Sequence, residues 1–145
     1  MGHFLVNGTK VIPNTVTQEG LKEAFRIFLT NGDPLGELYL GLIENPAFSL
    51  STDRFSDKNW TEHTNYTEKT RPVWNRAPVD GLSVPNLCNA PAAFTLQGDV
   101  NLMGFFLTDS PIKGGLVGNI LAVSESLEEQ YYEGDTLLLE YTWEF

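Results

Sequence analysis

Cysteine occurs once in this 145-residue chain, at Cys88, and histidine twice, at His3 and His63. A lone cysteine excludes an internal disulfide. Within Leu87-Cys88-Asn89-Ala90-Pro91, with no histidine nearby, it reads as a small packed residue rather than a nucleophile or ligand. No His-x-His or Cys-x-x-Cys spacing is present, and His63 beside Glu62 is a pair rather than a ligand set, so neither metal nor cofactor is expected. Cations are also scarce: nine Lys and Arg stand against nineteen Asp and Glu, a net charge of −10. A phosphate-backbone binder needs clustered lysine and arginine, so a nucleic-acid partner is not expected. No apolar run approaches a membrane span, and Met1 to Asn7 lacks the basic region and apolar core of a secretory signal, so folding in cytoplasm is expected. The sequons at Asn7, Asn59 and Asn65 then carry little meaning. There is no β-α-β rhythm, internal repeat or dividing linker. That leaves one ordinary domain, residues 1–145, able to bury a core without staples.

What is present centres on Trp60 to Trp74, WTEHTNYTEKTRPVW. Trp60, Tyr66 and Trp74 punctuate a stretch of threonine, charge and amide groups, with Arg71-Pro72 just before the last ring. Threonine recurs at 61, 64, 67 and 70, a period that matches neither strand nor helix. Threonine hydroxyls compete for backbone groups and Pro72 donates no N–H, so an ordered loop with short extended pieces is expected. Two readings of its large side chains compete. Trp60, Tyr66 and Trp74 plug one end of the core, or together with Arg71 they face a partner as interface residues, since Trp, Tyr and Arg are enriched at hot spots. Arg71 has a further option, burial against a carboxylate inside the fold.

Along the chain, Phe4-Leu5-Val6 and Lys10-Val11-Ile12 flank Asn7-Gly8 as a short strand pair. A helix is predicted over about 18 to 30, capped by Thr17, with Leu21, Ala24, Phe25 and Phe28 at i, i+3, i+4 and i+7 and a stop at Asn31-Gly32. Its phenylalanine face is expected to lie on a sheet. Glu37 to Ile43 reads as a buried strand, Glu44 to Asn59 as loop, and 75 to 92 as too rich in proline and glycine for regular structure. From Ala93 strands follow one another: Ala93 to Gln97 and Leu102 to Thr108 as a hairpin about Gly98-Asp99, then Gly118 to Ser124, then the stretch opened by Gly134-Asp135. In the last, Leu137, Leu139, Tyr141, Trp143 and Phe145 share one face, the period of a half-buried antiparallel strand. One helix followed by many short strands predicts a mainly β fold, an antiparallel β-sandwich or jelly-roll-like barrel with one N-terminal α-helix.

Charge is unevenly distributed. Beyond Lys113 there is no cation, and Glu125, Glu128, Glu129, Glu133, Asp135, Glu140 and Glu144 follow, whereas Arg54, Lys58, Lys69, Arg71 and Arg76 dominate 54 to 76. These are solvated faces or complementary patches on neighbouring copies. Catalytic groups are thin: His63 sits in a Thr/Glu-rich stretch as a hydrogen-bonded surface residue, no carboxylate pair can be placed, and Lys113-Gly114-Gly115 lacks the rest of a phosphate loop. No enzyme is expected.

The succession Leu38-Tyr39-Leu40-Gly41-Leu42, Trp60-Thr61-Glu62-x-Thr64-x-Tyr66, Arg71-Pro72-x-Trp74, Phe94-Thr95-Leu96, Gly104-x-Phe106-Leu107, Lys113-Gly114-Gly115 and Gly134-Asp135-Thr136-Leu137 resembles small virion proteins of tailed bacteriophages, over about residues 38 to 145. Among these it is similar to capsid decoration, or cement, proteins. The resemblance implies a non-enzymatic structural protein made in the host cytoplasm and placed on the virion head surface. There it would bind the major capsid protein and sister copies, as a homotrimer or homodimer, and tie capsomers together. Residues 1–14 would then form an extended contact arm, with Trp60, Tyr66, Arg71 and Trp74 as contact residues. A tail- or fibre-associated module that binds host carbohydrate through exposed aromatics is the alternative.

Overall fold

The computed structural model describes residues 2–30, 36–44 and 54–144, with the side chain of Phe28 outside that description. The chain begins with a β-hairpin: β1 (Gly2–Val6) and β2 (Lys10–Val16) pair across a turn in which Asn7 (φ 50°) and Gly8 (φ 73°) are both left-handed. That is the geometry an Asn-Gly turn favours. β2 alternates buried Ile12, Asn14 and Val16 with exposed Val11, Pro13 and Thr15. Residues 2–14 are therefore not the extended arm expected from the sequence. The burial of Phe4, Val6 and Ile12 makes them an integral part of the sheet.

The helix α1 spans Gln18–Thr30, and Thr17 caps it: its Oγ1 accepts the Gly20 N–H at 2.9 Å and donates to the Ile120 carbonyl. The predicted stop at Asn31-Gly32 lies outside the described residues. The expected burial of the helix face is overturned at Leu21 and Phe25, which are 42% and 59% exposed, with Leu29 at 71%. The helix turns this stripe outward and keeps the Gly20, Ala24 and Ile27 side as the more buried one. A Cβ on Gly20 would lie 2.2 Å from the Leu121 carbonyl oxygen, so the helix touches the sheet backbone there. Phe55 and Trp60 pack with Ile120 and Val123 in a cluster of their own. Gly20→Ala should consequently invert the usual gain of about 1 kcal/mol from removing a helix-interior glycine. We expect a loss of about 1–3 kcal/mol, read as a lower denaturant midpoint, because a backbone oxygen cannot move aside.

Nine further strands lie among the described residues: β3 (Tyr39–Glu44), β4 (Thr61–His63), β5 (Ser83–Val84), β6 (Ala92–Thr95), β7 (Val100–Leu102), β8 (Gly104–Thr108), β9 (Ile120–Ser124), β10 (Glu129–Tyr131) and β11 (Thr136–Glu144). Among the described residues every pairing is antiparallel, in the order β4-β3-β8-β9-β2-β1-β11-β5, with β6 also on β11 and β7 joined separately to β10. The result is a mainly β, sandwich-like domain that does not close into a barrel, which removes the jelly-roll-barrel option. The hairpin expected about Gly98-Asp99 does not form: β6 pairs with β11 and β7 with β10. Met103 breaks the run between β7 and β8, its N–H bonding to the Ile43 carbonyl.

Two cores result. The larger joins Phe4, Leu40, Leu42, Phe94, Phe105, Leu137, Leu139 and Tyr141 with Tyr66 and Trp74. The smaller gathers Ile43, Phe55, Trp60, Phe106, Ile120 and Val123 on the other side of β3, β8 and β9. β11 carries its predicted alternation, Leu137, Leu139 and Tyr141 being fully buried and Trp143 partly; Phe145 lies outside the described residues.

Candidate functional site

The Trp60–Trp74 segment enters the fold as β4, antiparallel to β3 with Leu42 opposite His63 and Ile43 opposite Glu62. Neighbouring residues on a strand face opposite sides. Glu62 accordingly lies on the side of the smaller core, where it meets Arg71. The Arg71 Nε donates to Glu62 Oε2 at 2.8 Å and its Nη2 to Oε1 at 2.7 Å, a bidentate pair. The same guanidinium donates to the carbonyls of Ser110 (2.9 Å) and Gly115 (3.1 Å) and sits between the rings of Phe55 and Phe106, 5.1 and 5.2 Å from their centres. Glu62 Oε1 additionally accepts the Gly114 N–H. Arg71 is 0% exposed. It pins the 110–115 loop to β4.

The aromatics are anchors of a similar kind. Trp60 stacks obliquely on Phe106, ring centres 5.1 Å apart. Tyr66 meets Phe94 edge-on, while the Lys113 ammonium lies 4.1 Å over its ring and bonds its carbonyl. Trp74 closes a gap in the sheet. One edge of β11 is shared by β6 at its start and β5 at its end, and on that edge the Tyr141 backbone between them meets neither strand. The Trp74 indole N–H donates to that carbonyl at 2.8 Å, and Asn86 Oδ1 accepts the Tyr141 N–H at 3.4 Å. Burial lifts the Tyr66 and Tyr141 hydroxyls well above the ordinary tyrosine range, with the Glu62 charge adding to the effect at Tyr66.

These contacts correct the reading of Trp60, Tyr66, Arg71 and Trp74 as residues that face a partner. All four are at most 3% exposed. The carbohydrate alternative cannot rest on these rings, and the exposed aromatics among the described residues are others, such as Phe25 and Tyr132. The core-plug reading is the one the fold adopts, with Arg71 buried against a carboxylate.

His63 differs from its sequence reading too: it is buried on β4, its Nδ1 2.5 Å from Glu44 Oε2, and its Nε2 has no hydrogen-bond partner among the described residues. No group of three or more His, Cys, Asp or Glu able to hold a metal occurs among the described residues. Most cations of 54 to 76 have a partner within the chain, those of Arg54 and Arg76 at the surface. Arg54 pairs with Asp57, Lys58 bonds the Trp60 carbonyl, and Arg76 bonds the Gly36 carbonyl beside the Trp74 ring, which leaves exposed Lys69. On the acidic side Glu129 meets Lys10 and Glu144 meets His3, while Glu125, Glu128, Glu133 and Glu140 have no cationic partner among the described residues.

The surface the molecule offers lies elsewhere. Large apolar side chains stand out on α1, at the tip of the 79–87 loop (Val79 and Leu82), and in the 112–117 loop (Ile112, Leu116 and Val117). Sequence reading missed these positions because an apolar residue in a short segment looks like core. No protein-family model matches the chain, and comparison with curated proteins finds no relative.

Proposed function

We propose that this protein is a structural component of a tailed-bacteriophage virion, a decoration protein that binds capsomers on the outer surface of the head and stabilises it. The observation that carries this reading is the division of the side chains. Glu62, His63 and Arg71 are held in internal pairs and Cys88 stands free at the surface rather than packed, whereas the exposed surface combines acidic charge with large apolar side chains on α1 and on the 79–87 and 112–117 loops. Exposed apolar clusters rimmed by polar residues mark protein contacts. An acidic exterior suits a molecule that sits near packaged DNA without binding it.

The reading rests on the resemblance over residues 38 to 145 together with that surface. Its test is sedimentation of the purified protein with heads that lack it. We expect saturable binding at a fixed number of copies per capsomer, and treated heads that release DNA at a higher temperature. Failure to bind heads, or saturable binding of host polysaccharide instead, would reject it.

A further inference from the structure

Two exposed apolar surfaces of this chain carry opposite free charge. The first is the stripe Leu21, Phe25 and Leu29 on α1, one residue every four, which forms one side of a 13-residue helix. Its free charge is cationic: Lys22 is exposed with no ion-pair partner among the described residues, Glu23 is held by Arg26 at 2.7 Å, and Glu19 turns inward to accept the Ile120 N–H. The second surface is the outer face of β2, β1 and β11. Register places Val11, Leu5 and Glu140 in one row across the three strands. Leu138 lies two residues along β11 on the same side, and Val11 and Leu138 are 57% and 39% exposed. The charges there are acidic, Glu140 on the face and Glu125 beside Pro13, whose carbonyl accepts the Glu125 N–H.

We infer that α1 of one copy docks on the β2-β1-β11 face of a second copy, reciprocally, so that the chain forms a two-fold dimer. The helix is about 20 Å long and about 10 Å across, a size that three strands spaced about 4.8 Å apart can seat. A single helix-on-sheet contact falls short of the ~800 Å² per partner of a stable interface, and a two-fold axis doubles it. A cationic rim meeting an acidic face fixes the choice of occupant, because an acidic copy presented face to face would repel. Direct helix-to-helix pairing offers Lys22 no free carboxylate, since Glu23 is held by Arg26 and Glu19 turns inward. This deepens the reading above and takes from it only that sister copies meet.

Sedimentation equilibrium of the full chain tests it. The natural protein should dissociate from dimer to monomer across a concentration series. Phe25→Asp should be monomeric with an unchanged circular dichroism spectrum, its dimer weakened about thirtyfold or more. Lys22→Glu and Glu140→Lys should each weaken the dimer about tenfold, counted over two equivalent contacts, and the double variant should restore it. A natural protein that stays monomeric, a Phe25→Asp variant that stays dimeric, or a double charge reversal no stronger than the single ones would overturn the inference. A monomer that still decorates heads would reject this dimer alone, and a dimer that ignores heads would reject the head-binding role alone.

Discussion

Glu62→Ala is expected to destabilise the fold by about 3–5 kcal/mol, which would lower the guanidinium chloride midpoint by about 1 M. The variant leaves the Arg71 charge fully buried, deprived of both carboxylate bonds and unable to reach water. It also frees the Gly114 N–H, so the 110–115 loop loses a tie to β4. The companion measurement removes both charges, as Glu62→Leu with Arg71→Met. Much of the loss should return, because attraction within a buried ion pair does little more than offset the cost of taking two charges out of water. A single Glu62→Ala variant within about 0.5 kcal/mol of the natural protein would show that water reaches the guanidinium, since only surface substitutions are normally so mild.

Alkali provides the second large effect. Tyr66 and Tyr141 hold their protons far above the usual tyrosine value because burial penalises the phenolate, and burial pushes Tyr131 up to about 12. For an acid whose folded pKa is raised, the sign is fixed. Below the unfolded value of 10.0 both states carry the proton and stability is unaffected. Above it the unfolded chain releases protons that the fold retains, and stability falls. Tyr66 and Tyr141 together remove about 3 kcal/mol per pH unit in that window, against a total stability of about 5–15 kcal/mol. Cooperative unfolding is expected within a few units above pH 10, with tyrosinate absorbance rising together with the loss of circular dichroism. Smooth titration of all five tyrosines with the spectrum intact would contradict the burial seen here.

The parts of this fold that sequence reading recovers are those decided locally. Thr17 and the spacing of Leu21, Ala24 and Phe25 gave the helix and its start, Asn7-Gly8 gave the first turn, and the two-residue period from Thr136 gave β11. What it could not supply depends on distant partners. The apolar stripe of α1 looked like a core face because nothing nearby in sequence reveals which side of the helix the sheet takes. The strands β4, β5 and β10 are two or three residues long, too short for any period to register. The candidate site failed for a related reason. Tryptophan, tyrosine and arginine between polar residues is the composition of an interface hot spot and equally of a pinned interior loop. The deciding contacts, from Arg71 to Ser110 and Gly115 and from Trp74 to Tyr141, join residues 39 to 67 positions apart.

Pairing Gly2 with Trp143 has a consequence for how the molecule is made. During synthesis the opening hairpin and β6 emerge long before the strand that both of them flank, so neither can finish its ladder until β11 has left the ribosome. Loop closure over so many residues slows the search for the native topology. Nascent chains halted before about residue 136 should therefore remain protease-sensitive, and acquisition of resistance should come as one late step rather than element by element.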